Sequence, residues 1–303
     1  MTAQEITLQI EEHFGSAWKG SGDGFKAGDP KTAVTGIATA WTPTFDVLRQ
    51  AVKAKQNLII AMHGPYWATE GGGGGGGRGR TSARITGAAP AAAARPAARP
   101  ANPPPALVVE STELYGDKKK FIQDNGLVIW RFNENWQSLP GQHRLRGLAA
   151  ALGWQGKEDA AATELIAPVG GAVYSVPASS LGDFSGGIKR RRGLRAMRVL
   201  GDPSAKIARV ALRPGYLLTP DAIRLVRNTK VDAVVCGETC EWEAFPYFED
   251  WVTAGMGKAF IMLGYAVSED PGAEAMATWL KQLLPTQNIS AVACGEPFQV
   301  AKV

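Results

Sequence analysis

The feature that most limits what this chain can fold into is a near-repeat. "GDPKTAVTGIATAWTPTFDVL…NLIIAMHG" and "GDPSAKIARVALRPGYLLTPDAIRLV…DAVVCG" share Gly-Asp-Pro, a β-rich run, Thr-Pro opening a helix-length segment, and a second β-rich run closing on glycine. Gly28 and Gly64 stand 36 positions apart, and so do Gly201 and Gly237. Order and length agree together, which reads as two related α/β units. Short β-branched runs alternating with helix-length segments predict α/β layers around a largely parallel sheet. The spacing predicts strands at 32–38, 57–62 and 127–132, then at "AKIARVAL", "VDAVVC", "KAFIMLG" and "ISAVAC". Helices are predicted over 44–54, 110–126, 220–229, 242–255 and 272–284.

Between the units lies a break in composition. Residues 71–105, "GGGGGGGRGRTSARITGAAPAAAARPAARPANPPP", hold almost nothing apolar to bury and are predicted to be disordered. The glycine run opens no helix and is no nucleotide fingerprint. The expected division is therefore 1–70 with 107–155 as the first unit, 71–106 as an insert, and 156–303 as the second unit.

That insert also accounts for the charge. The net +5 equals its five arginines (Arg78, Arg80, Arg84, Arg95, Arg99), and the remainder carries 28 basic and 28 acidic residues. Net charge is thus no evidence about the active surface; nucleic acid is not the expected partner, and the weaker reading of such binding rests on the insert and the run at 189–198. That run, "KRRRGLRAMR", reads as the basic last turn of a helix facing water. No apolar stretch approaches the roughly 20 residues that cross a bilayer, and no leader is visible, so a cytoplasmic protein without membrane contact is expected. Three cysteines (Cys236, Cys240, Cys294) form no disulfide framework and fit a reducing compartment.

Ligands in open α/β sheets bind beyond the carboxyl ends of the strands. In this chain those ends carry "MHGPYW", "RFNENW", "CGETCEWE" and "LGYAVSED". They supply His63, Asn133, Glu134, Asn135, Glu238, Glu241, Tyr265 and Glu269 to a cleft between the units. A histidine with carboxylates suits a borderline or hard divalent metal, or general acid–base work. Each residue also has a plainer role: a strand-end histidine, solvated carboxylates, or acids at a helix start.

At this point the sequence resembles the Nif-three-like (NGG-interacting factor three-like) proteins, known as dinuclear metal centre proteins and in part as GTP cyclohydrolase I type 2. The likeness lies in "FKAGDPKTAVTGIATAWTPTFDVLRQA", "KKKFIQDNGLVIWRFNENW" and "GETCEWEAFPYFEDWVTAGMGKAFIMLGYAVSED". It implies two α/β domains bridged by a metal pair, inside a hexameric ring. The family's His-His-Pro or His-Glu-Pro is here His63-Gly64-Pro65, and its His-Asp-His-Trp is Asn133-Glu134-Asn135-Trp136. Its Gly-His-x3-Glu is Gly264-Tyr265-x3-Glu269. A phenol coordinates well only as phenolate, with a reference pKa of about 10. The resemblance therefore implies His63, Glu134 and Glu269 as ligands of at most one zinc, iron or manganese ion per chain. Asn133 and Tyr265 would line the site, and Glu238 or Glu241 would serve as general base toward a small phosphorylated or nucleotide-like ligand. The alternative expectation is a ring-forming, non-catalytic binding or scaffold protein that has lost the dinuclear centre.

Overall fold

The computed structural model describes residues 1–20, 22–66, 112–166, 169–228 and 230–301. The insert predicted at 71–106 lies outside them. Among the described residues no helix is long and apolar enough to cross a membrane, and the three cysteines are free.

The chain opens with α1 (Ala3–Phe14), which no sequence expectation covered. Thr2 and Glu5 form a reciprocal capping box at its start, and Ile6 and Ile10 turn one face inward. Strands β1 (Gly24–Ala27) and β2 (Ile37–Ala40) follow. Helix α2 (Phe45–Lys53) starts where the Thr44 side chain accepts the Val47 N–H, and it leads to β3 (Leu58–Ala61). After the insert come α3 (Glu113–Asp124), β4 (Val128–Arg131), α4 (Glu134–Ser138), α5 (His143–Ala151) and α6 (Ala160–Glu164). The second half runs β5 (Ala172–Ser180), α7 (Leu181–Arg192), β6 (Arg198–Leu200), β7 (Lys206–Leu217), α8 (Thr219–Arg227) and β8 (Ala233–Thr239). It ends with α9 (Glu241–Thr253), β9 (Ala259–Met262), α10 (Tyr265–Leu283) and β10 (Ile289–Ala291). The basic run does close α7, with Lys189 to Arg192 in its last turn and Gly193 in the left-handed conformation just beyond.

Two five-stranded sheets result, ordered β1-β4-β3-β2-β10 and β5-β7-β8-β9-β6. In each, the repeated strand–helix–strand forms a parallel pair: β2 with β3 across α2, and β7 with β8 across α8. Edge strands β1, β5 and β6 run antiparallel. Both faces of the first sheet are buried, so its strands read as continuous apolar runs. Ile37, Leu58, Ile60, Val128 and Trp130 face α1 and α10, while Ala38, Ile59, Ala61 and Ile129 face the opposite cluster with Val47, Leu48 and Ile122. Each fully buried Leu or Ile there contributes about 2 kcal/mol of transfer free energy.

Helix α10 joins the halves. It packs on β2 and β10 of one sheet and on β7 and β8 of the other, with α5 alongside. It starts seven residues before the predicted 272, because Pro271 sits inside the helix rather than ending it. The Thr39 hydroxyl donates to the Ala273 carbonyl at 2.7 Å in the buried interface. The last strand, β10, does not stay with the second sheet; it pairs parallel with β2 and closes the first one.

Candidate functional site

Two strands and two helices meet at the cleft. His63 follows β3, its backbone N–H donating to Trp41 O at 3.0 Å. Its imidazole lies 5.7 Å from the Trp41 ring, whose other neighbour is Tyr265 at 5.1 Å. Burial lowers the His63 pKa, and the charges of Arg131 and Arg144 lower it further. The imidazole is therefore neutral at neutral pH and keeps a lone pair.

Glu134 begins α4, three residues after Arg131. Both of its oxygens accept from that one guanidinium, at 2.5 and 2.7 Å. Behind the pair stands Asp23, whose side chain is 0% exposed. Asp23 accepts from Arg131 Nη1, from the backbone N–H groups of Asn133, Glu134 and Asn135, and from Asn135 Nδ2. Burial alone would raise the Glu134 pKa, but the hydrogen bonds and charge of Arg131 overcome it and hold it near about 2. Asn133 accepts from Gln137, and buried Asn135 bridges Lys19 and Asp23. At both positions, where the resembled family carries imidazole, an amide knits the turn together.

Glu269 arrives from the first turns of α10. Strand β7 carries one extra residue against β8 between Arg213 and Tyr216, a bulge at Pro214-Gly215. Gly215 has φ +72°, and a Cβ there would meet Glu269 Oε1 at 2.3 Å. Its N–H donates to Ser268 Oγ, which donates in turn to the Tyr265 carbonyl. The helix start is thereby locked into the bulge. Glu269, only 2% exposed, accepts from Arg144 Nη2 at 2.6 Å through Oε1, while its Oε2 is buried with no partner among the described residues. Burial raises its pKa, and Arg144 offsets that in part. Burial likewise raises the Tyr265 pKa, with Glu269 adding to the effect, so the phenol stays protonated.

The two expected bases part company. Glu238 lies at the end of β8, near enough to Tyr265 for its charge to act there, and burial raises its pKa. Glu241 instead pairs with Arg198 of β6 on the exposed face of the second unit. Among the described residues no group of three His, Cys, Asp or Glu side chains is placed to hold a metal ion. Sequence reasoning named the carboxylates and missed their cations. Arg131 ends β4 and Glu134 opens α4, so the pair forms across a strand-to-helix turn that helical spacing does not announce; Arg144 and Arg213 carried no signal either.

Residues 1–72 match the model of Duf34/NIF3 (NGG1p interacting factor 3). The first quarter of the chain thus carries the NIF3 family pattern. A "GTP cyclohydrolase 1 type 2 homolog" of Chlamydia pneumoniae is 42% identical over 45 residues, which cover 15% of this chain and 18% of that protein. The chain thus matches under a fifth of that relative's length. The whole fold resembles two crystal structures. One is a Staphylococcus aureus hypothetical protein, at 19% identity and TM-score 0.64; the other is a Bacillus cereus protein related to NIF3, at 15% and 0.65. Each comparison spans 99% of both chains. At those identities the likeness is one of fold, and it matches the two-sheet architecture described above.

Proposed function

We propose that this NIF3-family chain is an oligomeric, cytoplasmic binding protein whose cleft has exchanged a metal pair for arginine–carboxylate pairs. The single observation behind this reading is that Arg131 occupies both oxygens of Glu134. A dinuclear centre does not fit the donor set. What remains is neutral His63 and one oxygen of Glu269, with two guanidiniums raising the local potential against a dication. Two ions about 3.5–4 Å apart need several anionic or imidazole donors between them. At most one weakly held divalent ion per chain is compatible with two donors.

Exposed Leu218 and Trp242 on the second unit give an apolar surface for self-association, in keeping with the closed ring the family resemblance implies. Protein purified without chelator should contain less than one divalent ion per chain by mass spectrometry, and desalting against EDTA should leave its melting temperature unchanged. Two ions per chain surviving that treatment would sink the reading. Light scattering that returned a monomer at micromolar concentration would remove the oligomer.

A further inference from the structure

Beside the cleft, between the start of α5 and the β7 bulge, lies a cavity of about 300 Å³. Gln137, Gln142, His143, Arg144 and Arg213 give it a polar wall, with Leu145 and Pro214 on its apolar side. We propose that this cavity is a binding site for the phosphate group of a small phosphomonoester. The proposal rests on the reading of the cleft as governed by guanidinium rather than metal, and goes beyond it by naming a ligand.

The charge balance is the first argument. Arg144 Nη2 and Arg213 Nη1 both donate to the Pro214 carbonyl, at 3.3 and 2.9 Å. Two like charges thus converge on one oxygen, and each lowers the comfort of the other: burial and Arg144 together push the Arg213 pKa down. Glu269 offsets one of them through its bond to Arg144. Arg213 itself makes no direct ion pair among the described residues, although Glu269 and Asp221 lie near enough for their charges to act on it. The two guanidiniums share a single bonded carboxylate in a partly buried place, and an anion would complete the balance.

The free donors are the second argument. Arg213 spends Nε on Val169 O and Nη1 on Pro214 O, which leaves Nη2 without a protein partner among the described residues. Arg144 Nη1 makes a single bond, to Gln137 Oε1 at 2.7 Å. The cavity also takes in the first turn of α5, whose N-cap, Gln142, is left-handed and provides no side-chain acceptor. Backbone N–H groups at a helix start add partial positive charge. Donors that come from two guanidiniums and a helix end approach from different directions. That arrangement suits a tetrahedral group with three acceptor oxygens better than a planar carboxylate. The volume lies at the small end of ligand pockets, which limits the remainder of the molecule to a few carbons.

The test is calorimetric titration of EDTA-treated full-length protein with inorganic phosphate, then with glycerol 3-phosphate, at fixed ionic strength set by chloride. Saturable binding is expected, at least tenfold tighter for both phosphates than for acetate. Arg213→Gln should weaken it at least tenfold, and Arg213→Lys less, because the charge stays and the fork is lost. Gln137→Glu, at an exposed position, should weaken it to a similar degree by adding a negative charge at the rim, and it serves if Arg213→Gln does not fold. Equal binding by wild type, Arg213→Gln and Gln137→Glu would overturn the site. Acetate binding as tightly as phosphate would overturn the ligand class. Binding that appears only after manganese is added would overturn the guanidinium mechanism. The metal content of the same sample, measured separately, shows whether the reading of the cleft has failed instead.

Discussion

Arg131–Glu134 and Arg144–Glu269 are the same chemical pair in two environments, and they are completed to different degrees. The first is closed. Arg131, with its side chain 9% exposed, grips both oxygens of Glu134, and Asp23 behind it accepts from the backbone of the whole turn. The second is open: Glu269 offers one oxygen to Arg144 and keeps the other buried, without a partner among the described residues. A fully satisfied polar network rigidifies a fold, whereas a half-satisfied one stores a cost that a ligand can relieve. The difference separates a residue set that builds the turn from one that is available for binding.

Breaking the closed pair should cost most. Arg131→Met leaves Asp23 buried without its cation, and a stability loss of about 3–5 kcal/mol is expected from urea melts. A loss below about 1 kcal/mol would mean that the backbone donors alone carry Asp23. Gly215→Ala attacks the open pair through the backbone. Its positive φ and the close approach of Glu269 should together cost about 1–3 kcal/mol, and the Arg144–Glu269 contact should be lost. A crystal structure of the variant with that contact intact would contradict this.

Acid should then separate the pairs by sign. Glu134 has its pKa depressed in the fold, from an ordinary 4.5 to about 2. Its stabilisation is present above pH 4.5 and is lost as the pH falls toward 2. The gap between wild type and Glu134→Gln should therefore close over that window. Glu269 is shifted the other way, so its ionised form costs stability at neutral pH and acidification relieves the cost. Wild type should gain on Glu269→Gln as the pH falls through the raised value. Parallel pH profiles for the two variants would erase the distinction. The smallest effect is expected from Tyr265→His, which places a second imidazole against Trp41, where His63 also packs, and within reach of the Glu269 charge. Zinc affinity should rise several-fold in the variant, and no change would mean that Arg144 still dominates the spot.

Much of this architecture was legible because burial on both faces leaves a strong trace. The runs at 57–62 and 127–132 became β3 and β4, and Thr44 capped α2 where Thr-Pro announced it. The start of α10 was hidden by Glu-Asp-Pro-Gly, which reads as a break. Packing between two sheets keeps the helix going through Pro271, and α5 comes so close there that a Cβ on Gly147 would meet the Pro271 carbonyl at 2.5 Å. The candidate ligands were visible as residue types at strand ends. Their engagement was not, since Arg144 and Arg213 are brought together only by the bulge at Pro214, and a bulge leaves no periodic signal. Nor did the sequence reveal which sheet "ISA" would join, because a three-residue apolar strand fits either.

The placement of β10 has a consequence for synthesis. Until residues 289–291 are made, β2 has hydrogen-bonding partners on one side only, and Ile37 waits for Ile289, 252 positions later (289 − 37). An unpaired strand edge is a template for the wrong neighbour, and contacts this distant along the chain form slowly. That edge therefore stays uncovered while everything between the two strands is synthesised, and the risk of mispairing there lasts until β10 arrives.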